Sequence, residues 1–279
     1  KLGISDIKTS TTSHSTSCRW RIRLCNGDIL AWLVCFSALI VGIGTLLFLI
    51  LFIINEAYPT FFYDNIVNFL IKESWSPLSA PPELGILHAW VSSLMITVIS
   101  LCLAVPLGFV IGVFLSEIAP AAVKSILQPC LDLLVGIPSV VYGFFGYMTI
   151  LPWLEKRFDM ATGECILAAG LILSIMVLPF IASFSAEAFQ SVPSEMKEAA
   201  MSQGVTRFYT IHTIIVPHAA SGMFAAVSLG FARAIGETLA VLMLAGNSVA
   251  IPTSILNRGQ PLTALIATEV GEAGVGSAK

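Results

Sequence analysis

Arg233 and Glu237 are the only charged residues between Ala219 and Asn247, a stretch long and apolar enough to cross a bilayer. A charge at the centre of such a helix costs ~2.5–3.5 kcal/mol on insertion scales, so two of them need a reason. On one continuous helix, residues four apart share a face and can neutralise each other as a structural pair. Arginine ahead of glutamate is the weaker order for that pair. Gly230, Ala232, Ala234 and Gly236 leave room for something to approach, and a guanidinium offers forked donors that suit phosphate or carboxylate oxygens. Two readings stand side by side: an anion path through Arg233, Glu237 and Thr238, or a structural ion pair. Glu237 would repel an anion unless it is paired or protonated, orients Arg233, or moves aside.

A second group of residues breaks the apolar pattern between Ser191 and Pro217. Pro193-Ser194 predicts a helix start with Ser194 as cap, and Gly204 predicts its end in the left-handed conformation. Ala199 and Ala200 leave a low ridge for a partner to sit against. The order is Glu198-Ala199-Ala200, then Gly204, Ile214 and Pro217. This spacing resembles the EAA loop of ABC importer membrane subunits, with Val216 where leucine is usual. The resemblance implies a coupling helix docked on an ATP-binding subunit, with Glu198 and Gly204 as key positions. Closure of the nucleotide-binding dimer would be carried through two such helices into the spans.

The elements that hold these residues must be membrane helices. Of the 279 residues, 56 % are hydrophobic and 11 % charged, against about 25 % charged in soluble domains. Mean hydropathy is +0.89. Too few charges remain to cover a water-facing surface. The net charge of −3 supplies no basic excess for nucleic acid. Cys18, Cys25, Cys35, Cys102, Cys130 and Cys165 form no C-x-x-C pair and read as small apolar residues. His14, His88, His212 and His218 lack metal-ligand spacing, so no metal is expected. No phosphate-binding G-x-x-x-x-G-K-[ST] loop is present in the sequence, so ATP hydrolysis belongs to another chain.

The pattern predicts an all-α polytopic bundle with five spans. Residues 1–28 form a cytoplasmic N-terminal tail, and 29–279 form the transmembrane domain, with a core at 85–272 and the coupling loop at 191–217. The first span is uncharged from Ile29 to Asn55. A mixed loop with Tyr58, Phe61, Phe62, Tyr63 and Trp75 reads as interfacial. The second span lies within Gly85–Ser116 and is interrupted by Pro106; a polar turn runs from Glu117 to Lys124. The third runs from Pro129 to Trp153, with Pro129 in its first turn. Asp132 then complements its N-terminal dipole, or serves transport. The fourth occupies Cys165–Ala186 and the fifth Ala219–Asn247; the residues from Ser248 on read as a mixed tail. Lys1, Lys8, Arg19, Arg21, Arg23, Lys124, Lys197 and Arg207 fall on one side and Lys72, Lys156, Arg157 and Arg258 on the other. This bias predicts an N-terminus inside.

Four segments together resemble the PstC-type permeases of phosphate-specific ABC importers. They are Phe114-Leu-Ser-Glu-Ile-Ala-Pro120, Gly136-Ile-Pro-Ser-Val-Val-Tyr-Gly143, the EAA loop, and Ala232-Arg-Ala-Ile-Gly-Glu-Thr-Leu-Ala-Val241. The last continues Leu239-Ala240-Val241, where the sister permease PstA usually has Ala-Pro-Leu. The resemblance implies a bacterial or archaeal cytoplasmic (inner) membrane protein that pairs with PstA, a dimer of ATP-binding subunits and a phosphate-binding protein. It implies no cofactor on this chain, phosphate passage at Arg233 and Glu237, and ATPase coupling through Glu198, Ala199, Ala200, Gly204, Ile214 and Pro217. It also implies a sixth span, about to begin where the sequence reaches Lys279, and hence a piece of a longer chain. A permease for another oxyanion such as sulfate or molybdate is the alternative. A membrane enzyme would need a facing nucleophile and base, and none is evident. A phosphate-sensing role is compatible with transport.

Overall fold

The computed structural model describes residues 26–58, 66–77, 79 and 83–272. The expected N-terminal tail, most of the aromatic loop around Phe61, and Cys18 and Cys25 lie outside these residues. The chain divides into two compact units, Lys1–Phe62 and Tyr63–Lys279.

The described residues of the first unit form one long helix, α1 (Asn26–Ala57). It is apolar on all sides and exposed along its length, the pattern of a helix whose solvent is lipid. Its hydroxyls are satisfied internally: Ser37 donates to the Val34 carbonyl at 2.9 Å and Thr45 to that of Val41 at 2.8 Å.

The described part of the second unit begins with a short helix, α2 (Ile66–Ile71). A two-residue antiparallel hairpin follows, β1 (Trp75–Ser76) with β2 (Glu83–Leu84), with Trp75 opposite Leu84. Trp75 packs in a small core with Ile86, Ala89 and Leu265, so this part of the mixed loop is a built element. Helix α3 (Leu87–Ile118) is the second span and ends in a π-helical turn, Phe114–Ile118.

The third apolar segment is broken. Helices α4 (Ala121–Gly136) and α5 (Ser139–Phe158) meet at 90°. The expected start at Pro129 is therefore corrected: Pro129 lies inside α4, and Pro138 is the residue at which α5 starts. The residue before a proline is pushed out of helical conformation, and Ile137 has ψ 129°. Asp132 consequently lies toward the C-terminal end of α4, where it cannot complement an N-terminal dipole.

Helix α6 (Ile166–Gln190) is the buried centre of the unit. Gly108 and Gly112 of α3 face it so closely that an added Cβ would meet Ile181 Cγ2 and Ser185 Cβ, each at 2.8 Å. Small residues allow such an approach between membrane helices. Then come α7 (Ser194–Ser202), α8 (Arg207–His218, its Ile211–Ile215 turn π-helical), and α9 (Ala220–Ile235), which bends from α8 by 68°.

The expected fifth span is corrected as well. The bent apolar pair runs from Arg207 to Ile235. The chain then leaves the helix and resumes as α10 (Leu239–Leu244). Among the described residues, three helices are long and apolar enough to cross a membrane, or five segments if each bent pair counts as one.

The expected mixed tail is also built. Gly246 and Asn247 turn the chain with φ of 82° and 47°, and an irregular segment runs back to α11 (Leu262–Glu272). The first amides of α6 need partners outside the helix. Cys165 donates to the Leu244 carbonyl at 3.0 Å, Ile166 to Asn257 at 3.0 Å and Leu167 to Ile255 at 2.8 Å. Cys165, wholly buried, also caps α6 by accepting from the Ala168 amide at 3.4 Å.

Candidate functional site

The first site is the break between α9 and α10. Helix α9 ends at Ile235, two residues past Arg233, and Glu237 stands in the three-residue gap before α10. Arg233 and Glu237 are thus not on one helix face, and no ion pair joins them. The structural-pair reading loses its geometric basis. The Glu237 carboxylate instead accepts from the Ala240 amide at 3.5 Å, a partner for a free donor in the first turn of α10. The Glu237 carbonyl, released from helical bonding, accepts from Thr263 Oγ1 at 2.7 Å. Thr238 precedes α10 and its hydroxyl reaches the Gly236 carbonyl at 3.4 Å.

Ser93 and Thr97 of α3 close the site from the other side. Ser93 Oγ accepts from the Leu262 amide at 2.9 Å. With Glu237, Val241 and Thr263 they line a cavity of about 10 Å³, room for about one water and far too small for an oxyanion. These hydroxyls escaped the sequence reading. Their signal was the spacing of Ser93, Thr97 and Ser100 along one helix.

Arg233 is exposed near the end of α9. Tyr142 donates to the Leu134 carbonyl at 2.9 Å, fastening the α4–α5 bend. An added Cβ on Gly143 would meet Ala240 Cα and Met243 Sδ at 3.0 Å. The Gly136–Gly143 and Ala232–Val241 motifs, far apart in sequence, therefore pack together. Each lies at an interruption of a span, the place where backbone groups are freed to meet a ligand inside a membrane protein.

The second site is the loop at 191–217. Pro193, not Ser194, is the capping residue of α7; it offers no side-chain bond, and Ser194 is already helical. Gly204 has φ +76° and its amide donates to the Met201 carbonyl at 3.0 Å, as a left-handed helix cap requires. Thr206 caps α8 by accepting from the Tyr209 amide at 3.3 Å. Glu198, Ala199, Gly204 and Pro217 are exposed, Ile214 is half-buried and Ala200 is buried. Ala199, Ala200 and Ile214 line one groove of about 340 Å³ together with Met196, Val205 and Tyr209. Phe208, Tyr209 and Met201 beside it are exposed, an apolar patch of the kind that marks an interaction surface.

The structure adds three residues here that spacing did not reveal. Lys197 Nζ meets Glu117 Oε1 at 2.6 Å and the Phe189 carbonyl at 3.3 Å. Arg207 donates to the Glu117 backbone carbonyl. The available signal was Glu117 itself, a charge inside the Phe114–Pro120 motif. Among the described residues, no three His, Cys, Asp or Glu side chains are placed to hold a metal ion.

Residues 104–271 match the family of binding-protein-dependent transport system inner membrane components. The chain belongs to this family. It is a multi-pass membrane protein and the permease type of ABC importer subunit, a transport component rather than an enzyme by itself; in the family, ATP hydrolysis falls to partner ATPase subunits. A probable ABC transporter permease, YqgH of Bacillus subtilis, is 39 % identical over 81 % of this chain and 71 % of its own length. The phosphate transport system permease protein PstC of Haemophilus influenzae is 32 % identical over 74 % of this chain and 71 % of its own. PstC of Xylella fastidiosa is 33 % identical over 74 % of this chain and 69 % of its own.

Proposed function

We propose that this chain is the permease subunit of an ATP-driven importer of inorganic phosphate. The observation that carries the reading is Arg233: a guanidinium with no ion pair among the described residues, near the end of a broken span whose next helix packs at Ala240 against Gly143 of a second. A cation left without a counter-ion among the described residues at such a place suits an anionic cargo. The relatives named for phosphate transport give that anion its identity. Thr238 and Glu237 flank the path, with Glu237 held by Ala240 and Thr263 rather than by Arg233.

The partners follow from the same reading. A sister permease of the PstA type completes the path, one subunit of an ATP-binding dimer docks on the groove at Ala199, Ala200 and Ile214 while the other docks on the sister permease, and a phosphate-binding protein delivers cargo from the opposite face. Glu198, Gly204 and Pro217 border that docking surface. The loop faces the cytoplasm, the N-terminus lies inside, and the membrane is the bacterial or archaeal cytoplasmic one. The test is labelled phosphate uptake by the chain assembled with sister permease, ATPase and binding protein, with and without excess sulfate. Phosphate uptake that sulfate does not compete is expected. Sulfate uptake without phosphate uptake would overturn the reading.

A further inference from the structure

We infer that Glu117 is the positioning residue through which the 191–217 loop grips α3, so that movement of the loop reaches the helix bordering Glu237. The inference rests on the importer reading above.

Glu117 is held from both halves of the loop. Lys197 of α7 pairs with its carboxylate at 2.6 Å, and Arg207 of α8 donates to its backbone carbonyl. Gly204 lies between these two helices. The Glu117 and Lys197 side chains are only 10 % and 19 % exposed, so each charge depends on the other for its compensation. Glu198, the next residue along α7, is exposed. One short helix thus offers a partner-facing side beginning at Glu198 and an inward grip at Lys197.

The place on α3 is also specific. Glu117 lies within the π-helical turn Phe114–Ile118, a local widening often found at functional positions. A cavity of about 200 Å³, lined by Glu117, Lys197, Met201, Arg207 and Thr210, lies beside the contact. It gives the side chains room to shift without breaking the pair. From Glu117 the helix runs back through Gly112 and Gly108, keyed into Ser185 and Ile181 of α6. It reaches Thr97 and Ser93 at the Glu237 cavity, roughly 30 and 36 Å away at 1.5 Å per residue. A packed, rigid element of this kind can carry energy between two sites.

The test compares Glu117→Gln, Lys197→Met and the exchanged pair Glu117→Lys with Lys197→Glu. Each is assembled into the complete transporter in proteoliposomes, and phosphate uptake and ATP hydrolysis are measured in the same vesicles. Glu117→Gln and Lys197→Met should assemble and keep ATP hydrolysis. Their phosphate moved per ATP should fall at least several-fold, because hydrolysis continues while the loop no longer moves α3. The exchanged pair should recover part of that ratio, because the hydrogen bond from Arg207 goes to the backbone of residue 117. An unaffected ratio in Glu117→Gln, a failure of that variant to assemble, or an exchanged pair as uncoupled as the single variants each overturns the inference. A native complex that takes up no phosphate overturns the importer reading, and this inference with it.

Discussion

Gly204 permits a measurement in which backbone strain is the only variable. Its φ is +76°, and nothing lies within 4 Å of the position a Cβ would take. A side chain therefore meets open space, and the cost of adding one is conformational. For a residue with a Cβ the left-handed region costs roughly 1–2 kcal/mol, more for a β-branched one. If the ATPase accepts the loop only with this cap formed, that energy appears in binding, where about 1.4 kcal/mol is tenfold. Gly204→Val should weaken ATPase binding by roughly 5- to 30-fold. Gly204→Asn, of similar size but tolerant of positive φ, should cost much less. Affinity is read by titrating purified ATPase onto detergent-solubilised permease. Native-like binding by Gly204→Val refutes the reasoning. Equal losses in the two variants refute it too, because side-chain bulk at the interface would then be the cause.

Arg233→Gln should abolish phosphate uptake, while the complex still assembles on size-exclusion chromatography; lost assembly would restore a structural role for Arg233. Gly112→Val places a Cβ 2.8 Å from Ser185 Cβ and 3.2 Å from the Ala186 nitrogen. Neither neighbour is a flexible side-chain end, so overpacking of about 1–3 kcal/mol is expected, seen as a lower melting temperature; an unchanged one would show that α3 and α6 separate easily. Tyr142→Phe removes the 2.9 Å bond to Leu134 and should cost about 1 kcal/mol, with a matching fall in thermal stability; no change would mean that the bend is held by other contacts.

Much of the fold was legible because apolar length is written plainly in a membrane chain. The interruptions were harder. Pro129 was read as a helix start because proline is welcome in a first turn, yet the chain bends at Pro138. In the run from Ala219 to Asn247 every face is apolar, so periodicity gave no hint that α9 stops at Ile235. Gly236 was the stop signal, and it was read as room for a ligand. Without that stop, Glu237 falls on the same helix face as Arg233, whereas its carboxylate serves the first turn of α10. The Gly204 turn was readable because φ > 0 has a residue-type signature. The Glu117–Lys197 pair was not, because contacts between distant residues leave no trace in local spacing.

The outer bonds of α6 have a consequence for biogenesis. Ile166 and Leu167 donate to the carbonyls of Asn257 and Ile255, which leave the ribosome only after α7, α8, α9 and α10. An unpaired amide is cheap in water and costs several kcal/mol in hydrocarbon. While the later helices are being made, that end of α6 is therefore kept at the wet boundary of the membrane. Its final seating is a late step, timed by the arrival of the segment that follows Gly246. A nascent chain halted before Ile255 would hold a threaded but unlatched α6, open there to proteases until the closing strand of carbonyls is delivered.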